Sequence, residues 1–229
     1  MVYIIKANGE KELFKKNKIY KTAKKAGASR KLANQVSNSI NKQVFNGMTS
    51  RQILNLTLKH LKKDEKASIK YDLKRAIMNL GPTGFPFEEY FSQILKAYGF
   101  QTKVGVFLQG RVVEHEVDIV AKKKLVYMIE NKYHNSLGNH TDLKVAMYTY
   151  ARFLDLKSNK KNNFDKAWLV TNTKCTKHAK GYAKGVGLKI TSWDYANFNG
   201  KNLQQLIEIK KLYPITIFKH IKEKHKHKL

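Results

Sequence analysis

The chain has 229 residues, 42% apolar and 11% aromatic, which is enough to bury a core and excludes a disordered polar polymer. Its 45 Lys and Arg stand against 17 Asp and Glu, and the resulting net charge of +28 favours polyanionic partners such as nucleic acid. No apolar run approaches the roughly 20 residues of a membrane span, the stretch from Met1 to Lys6 lacks the apolar core of a secretory signal, and the single cysteine, Cys175, excludes an internal disulfide framework, so a cytoplasmic protein without a membrane partner is expected.

Punctuation divides the chain at Gly81-Pro82-Thr83-Gly84-Phe85-Pro86, which holds two of the three prolines and cannot continue a helix. Residues 1–80 and 81–229 each carry a net charge of +14, so neither half is an inert spacer. The first half opens with a strand from Val2 to Lys6, a turn at Asn8-Gly9 and a return strand from Lys11 to Phe14. Helical spacing follows. Ile19, Ala23 and Ala26 share one face, Leu32, Val36 and Ile40 a second, and Ile53, Leu54, Leu58 and Leu61 a third, with Thr49 or Ser50 as its cap. A fourth helix is expected from about Lys66 to Leu80. This half therefore reads as a hairpin followed by a helical bundle.

The second half reads as an α/β sandwich. A helix from about Phe87 to Tyr98 buries Phe91, Ile94 and Leu95, and Gly99 ends it. Strands are expected near 101–108, 111–120 and 125–133, then a helix over 141–156, a strand from Lys166 to Thr171, a helix near 175–185 and a strand from Leu188 to Trp193. The core spans about 84–195. The segment 200–229 adds helices broken at Pro214 and a basic end. Lys144 and Arg152, on the 141–156 helix, offer charge to DNA.

Chemistry concentrates in two apolar strands, Val112–Val120 and Leu125–Lys132, joined by Lys122-Lys123-Lys124. Paired as an antiparallel hairpin with its turn near Lys123, they set Asp118 close to Met128, with Glu130 two residues beyond. Alternation then brings Asp118, Glu130 and Lys132 out on one side. Two adjacent carboxylates repel each other, and a hard divalent cation relieves that repulsion through oxygen ligands. An ammonium beside them orients a water or stabilises developing negative charge. A surface hairpin with a weak Glu–Lys ion pair would show the same residues. Alternation also places Glu116 on the Asp118 face and His115 opposite. Cys175 and His178 have a metal-like spacing without a second pair, so zinc is not expected there.

Asp118 followed by Glu130-x-Lys132, after a helix bearing Phe87-Glu88-Glu89 and ending at Gly99-Phe100, resembles the PD-(D/E)xK nucleases, and in particular Mrr-like (type IV) restriction endonucleases; the later Trp168-Leu169-Val170-Thr171 resembles a strand of that group. The resemblance covers roughly 84–195. It implies a restriction-endonuclease-like sandwich with a central mixed sheet and Mg²⁺- or Mn²⁺-dependent cleavage of double-stranded DNA. It also implies metal ligation by Asp118 and Glu130, catalysis by Asp118, Glu130, Lys132 and Glu88, and accessory roles for Glu89 and Glu116. Val117 stands where the motif has proline. Residues 1–80, with Ile4-Ile5-Lys6-Ala7-Asn8-Gly9, Glu12, Phe14 and Lys18-Ile19, resemble an ATP-cone. That implies ATP or dATP as an effector, held by Lys6, Glu12, Lys18 and Thr49. Ala7 departs from the arginine of the usual Lys-Arg-Asp-Gly pattern. The expected activity is restriction of foreign or modified DNA, by a homodimer if both strands are cut. The alternatives are a non-catalytic nucleotide-responsive DNA-binding regulator and a nuclease acting on branched DNA.

Overall fold

The computed structural model describes residues 1–217 apart from positions 63, 137, 198 and 199; the basic end of the 200–229 segment lies outside the described residues. Strands β1 (Tyr3–Ile5) and β2 (Lys11–Leu13) pair antiparallel with Ile5 opposite Lys11. The Lys6 N–H donates to the Glu10 carbonyl at 2.8 Å and the Gly9 N–H to the Lys6 carbonyl at 2.9 Å, with Gly9 at φ +83°. Asn8-Gly9 therefore marks a three-residue loop ending in a left-handed glycine, rather than a two-residue turn.

Helices α1 (Lys16–Lys25), α2 (Arg30–Gln43), α3 (Ser50–Leu61) and α4 (Glu65–Met78) follow. Ile19, Ala23, Val36, Ile40, Ile53 and Leu61 share one apolar cluster, while Leu32 lies at its margin. Ser29, Thr49 and Asp64 each accept a backbone N–H at the start of a helix, and Thr49 forms a reciprocal box with Gln52. Helix α4 serves two cores. Ala67 packs with the front bundle, whereas Leu73, Ala76 and Ile77 join Phe87, Phe91, Ile119 and Trp168 in the core of the second half.

The second half comprises α5 (Phe85–Ala97), β3 (Gln101–Gln109), β4 (Glu114–Lys122), β5 (Val126–Lys132), β6 (His140–Thr141), α6 (Leu143–Ser158), β7 (Lys166–Thr171), β8 (Lys174–Cys175), α7 (Lys177–Val186), β9 (Lys189–Thr191), α8 (Leu203–Lys210) and a 3-10 turn at Ile215–Ile217. The five-stranded sheet runs β3-β4-β5-β7-β9, antiparallel through β5 and parallel from β5 to β9. The mixed α/β sandwich expected from the spacing is the observed architecture. Helices α5 and α8 and the end of α4 cover one face, and α6 and α7 cover the other. A small parallel pair, β6 with β8, was not legible from hydrophobic spacing because each strand has two residues.

One strand boundary moves for a local reason. The expected strand begins at Glu114 rather than 111, because the Val112 and Val113 N–H groups donate to the Asp155 carboxylate at 2.9 and 3.3 Å and bend the chain over α6. The segment after α8 packs back on the molecule, with the Thr216 hydroxyl donating to the Ala76 carbonyl at 2.6 Å.

Candidate active site

Strands β4 and β5 pair with Ile119 opposite Ile129 and Val120 opposite Met128. The turn is thus centred at Lys124, not Lys123. The ladder ends at Ile119 and Ile129, and its register continued by one position matches Asp118 with Glu130 rather than with the expected Met128. Antiparallel partners share a face, and Lys132 lies two residues further along β5.

Alternation does not run through Asp118. The β3–β4 ladder pairs Val104 with Ile119 and Val106 with Val117 but skips Gly105 and Asp118, and Gly105 has φ +61°. Across this break Val104 and Ile119 belong to the α5-side core, whereas Leu108 and Val117 belong to the α6-side core. Side chains of equal parity change faces. A left-handed residue in a strand does this, and glycine is the residue that adopts it without strain. As a result His115, expected opposite the acids, sits on the α6 side with its ring 2.9 Å from Asp155. Glu116 is exposed, and its charge acts on Glu88 and Asp118.

The acids crowd one another. Burial and the charges of Asp118, Glu116 and Glu89 push Glu88 up to about 7. Burial, then Asp118 and Glu88, raise Glu130, while Arg152 and Lys132 oppose the shift. Burial also raises Asp118, opposed by the Asn131 N–H, which donates to its carboxylate at 2.6 Å. Lys132 is exposed, and its charge favours the ionised forms of both Asp118 and Glu130. Glu88, Asp118, Glu130 and Lys132 are thereby brought into one electrostatic neighbourhood, with Glu89 and Glu116 at its edge.

Arg152 corrects an expectation. Rather than facing DNA, it is buried, and its guanidinium donates to the Glu130 carboxylate and to the Glu116 carbonyl while lying 5.4 Å from the Tyr148 ring centroid. The pattern Thr149, Arg152, Phe153, Leu156 carries the signal, since it places Arg152 on the buried stripe of α6. Lys144 remains exposed. Asn131 was also missed: it is 8% exposed, with both side-chain amide atoms unpartnered.

Among the described residues no group of three or more His, Cys, Asp or Glu is gathered closely enough to form a metal cage. The donor set that exists is the pair Asp118 and Glu130. Oxygen-only donors that repel each other fit a hard cation such as Mg²⁺, which binds through one or two carboxylates and keeps waters or substrate phosphates as its remaining ligands.

In the front half, the residues expected to hold nucleotide divide between two clefts that share Ser50. One, about 170 Å³, is mostly apolar and includes Ile4, Glu12, Phe14, Lys18 and Tyr71. The other, about 290 Å³, includes Lys6, Lys74, His140 and Lys174. Lys6 pairs with Glu10, and Lys18 pairs with Glu12. Thr49 is engaged in its cap with Gln52, and the neighbouring Ser50 lines the clefts.

Comparison with known proteins divides the chain at the same place. Residues 2–77 match the ATP cone domain, and residues 82–201 match the Mrr_cat family, described as restriction endonuclease. An uncharacterised protein of Archaeoglobus fulgidus is 47% identical over 133 residues, which make up 58% of this chain and 73% of that protein. The crystal structure of a protein of unknown function, AF1548, aligns with a TM-score of 0.55 at 42% identity, covering 62% of this chain and 73% of that one. Among the described residues no helix is long and apolar enough to cross a membrane.

Proposed function

Because the chain belongs to the Mrr_cat restriction endonuclease family and carries an ATP cone domain in front of that match, we propose that it is a metal-dependent DNA endonuclease whose cleavage is governed by adenine nucleotide. The observation that carries this reading is the convergence of Asp118 and Glu130 on adjacent strands, where burial and the charge of Asp118 raise the pKa of Glu130, with Lys132 two residues beyond it.

Asp118 and Glu130 would hold Mg²⁺ or Mn²⁺, which supplies Lewis acidity toward a phosphodiester and its attacking water. The Asn131 N–H fixes the Asp118 carboxylate, and Arg152 fixes that of Glu130, so neither needs to be ordered when substrate arrives. Lys132, exposed at the end of β5, donates to the scissile phosphate and offsets the charge that builds there during attack. Glu88 is poised to exchange a proton near neutral pH, and it acts on the attacking water or on the leaving oxygen. The +28 charge supplies the sequence-independent attraction for the DNA backbone. In the front domain the apolar cleft flanked by Glu12 and Lys18 takes the adenine, and the basic cleft beyond Ser50 takes the phosphates. The biological role in this reading is restriction of foreign or modified DNA, by a homodimer that brings one site to each strand.

Incubation of supercoiled plasmid with the protein and Mg²⁺ tests the chemistry. Nicked and linear products are expected from wild type, with at least a 1000-fold loss for Asp118→Ala, on the order of the several kcal/mol that such charge stabilisation supplies. Equal residual cleavage by the two proteins rejects the assignment, and a parallel branched-DNA substrate separates restriction from junction cleavage.

A further inference from the structure

The basic cleft is not built by the ATP cone alone. Lys6, Ala7 and Asn8 come from the hairpin loop, Ser50 from the start of α3 and Lys74 from α4, whereas Gly138, Asn139, His140 and Lys174 come from the restriction endonuclease domain. The two domains touch at its rim. Gly138 has φ +94°, and a Cβ at that position would stand 3.0 Å from the Asn8 Cβ and 3.2 Å from the Asn8 N. A side chain there would push the domains apart.

The little β6–β8 sheet acquires a purpose in this setting. His140 and Lys174 are register partners in it, so their side chains emerge on one face, next to each other and toward the cone. β6 follows the catalytic strand β5, and β8 follows β7, its parallel neighbour in the main sheet. The small sheet therefore sits past the carboxyl ends of parallel strands, where α/β proteins commonly bind ligands. Hydrogen bonds hold the first residues after Lys132. The Tyr133 hydroxyl donates to the Met78 carbonyl at 2.7 Å, and the His134 N–H and carbonyl are both engaged by the Asn172 amide, at 2.9 and 2.8 Å.

The charges in the cleft are only partly matched. Lys6 pairs with Glu10, which also feels the charge of His140, and Lys174 lies 3.2 Å from Asp194. Lys74 has no ion-pair partner among the described residues; its amine is 5.8 Å from the Trp193 ring centroid. Burial and the nearby charge of Lys174 hold its pKa below the usual lysine value, with Asp194 opposing. Cations from two domains thus converge on a cleft in which Lys74 shares Asp194 with Lys174, so the positive side is short of counter-charge. An anion with several negative oxygens supplies that counter-charge.

We propose that the phosphates of a nucleoside triphosphate bind between the two domains, with Lys6 and Lys74 on the cone side and His140 and Lys174 on the endonuclease side. The endonuclease domain is then half of the effector site, and nucleotide bound there bears on the loop that leaves Lys132. The inference rests on the reading of the front domain as nucleotide-binding, and it adds residues that lie outside that domain.

Calorimetric titration of the full chain with ATP, AMP and inorganic tripolyphosphate tests it. Wild type is expected to bind ATP at least about 10-fold more tightly than AMP, and tripolyphosphate is expected to compete with ATP. Lys174→Ala and His140→Ala each weaken ATP about 10-fold and leave AMP unchanged, the scale of one lost charge-assisted contact. Asp194→Asn, which frees Lys174 from its carboxylate, tightens ATP several-fold. That gain is one that a merely destabilised interface does not produce. If Lys174→Ala and His140→Ala both bind ATP as wild type does while Lys6→Ala binds it more weakly, the site belongs to the cone alone and the proposal is overturned with the nucleotide reading intact. Absence of ATP binding by wild type overturns both, and leaves the Asp118 cleavage test to stand or fall by itself.

Discussion

The acids of β4 and β5 and the cleft between the domains are both places where like charges crowd together, but they resolve the crowding differently. Beside β4 and β5, burial and the charge of Asp118 raise both Glu88 and Glu130, and an internal cation, Arg152, already balances part of the charge. In the cleft the charge of Lys174 acts on Lys74, and the carboxylate of Asp194 is engaged with Lys174. The acidic site is prearranged by protein groups, with the Asn131 N–H on Asp118 and the Arg152 guanidinium on Glu130. The basic site gathers lysines from two domains with less internal counter-charge. In a chain of net charge +28 the first is conspicuous in sequence, because carboxylates are scarce. The second is not, because lysines are everywhere.

The sharpest probe of the acidic side is Lys132→Ala. If its ammonium acts on the reacting phosphate, cleavage with Mg²⁺ falls about 1000-fold while DNA binding measured without metal changes little, as expected for a group that acts mainly in the transition state. A parallel loss of binding would demote Lys132 to one more phosphate contact. Next in size is Arg152→Ala, which strands the Glu130 carboxylate in a site where the two side chains are 10% and 17% exposed. Urea unfolding should show a loss of about 3 kcal/mol, most of it recovered in the double variant with Glu130→Gln. Without that recovery, Arg152 stabilises α6 by packing rather than by balancing charge.

The cleft gives smaller numbers. Gly138→Ala places a Cβ in a left-handed conformation against Asn8, and a cost of about 1–2 kcal/mol is expected from the backbone alone. The same variant should also bind ATP more weakly, and unchanged ATP affinity would separate the domain contact from the ligand site. Screening by solvent reduces the pH dependence of Glu88, which is half-buried. Its folded pKa of about 7 exceeds the ordinary 4.5, so the folded state retains a proton that the unfolded chain releases. Stability from this group is therefore present below about pH 4.5 and is lost as the pH rises to about 7. The melting temperature of Glu88→Gln minus that of wild type, both without metal, should grow across that window and stay level above it. A difference that is flat with pH would mean that Glu88 is not held in this crowded site.

How much of this was legible in the chain varied with the range of the interaction involved. Asn8-Gly9, the helical spacings through Leu61, and the paired apolar strands ahead of Lys132 all act between residues close in sequence, and they located the hairpin, the bundle and the β4–β5 pair. The strands were placed but not their register: a turn centre one residue further along moved the partner of Asp118 from Met128 to Glu130. Local patterning also missed the exchange of faces at Gly105, because a single positive φ inverts every later position of an alternating strand.

Composition and short-range periodicity by themselves determined the charge, the class of each half, and the pairing of the strands that carry Asp118, Glu130 and Lys132. Those properties depend on side-chain type and on the fixed periods of helix and strand. Only the tertiary structure decided that Arg152 points inward to Glu130, that α4 packs into both cores, and that His140 and Lys174 stand beside Lys6 and Lys74. Each of these joins segments far apart along the chain. Their energies come from burial and from charge at a distance, and no local pattern encodes where a lysine will find itself once the backbone has closed.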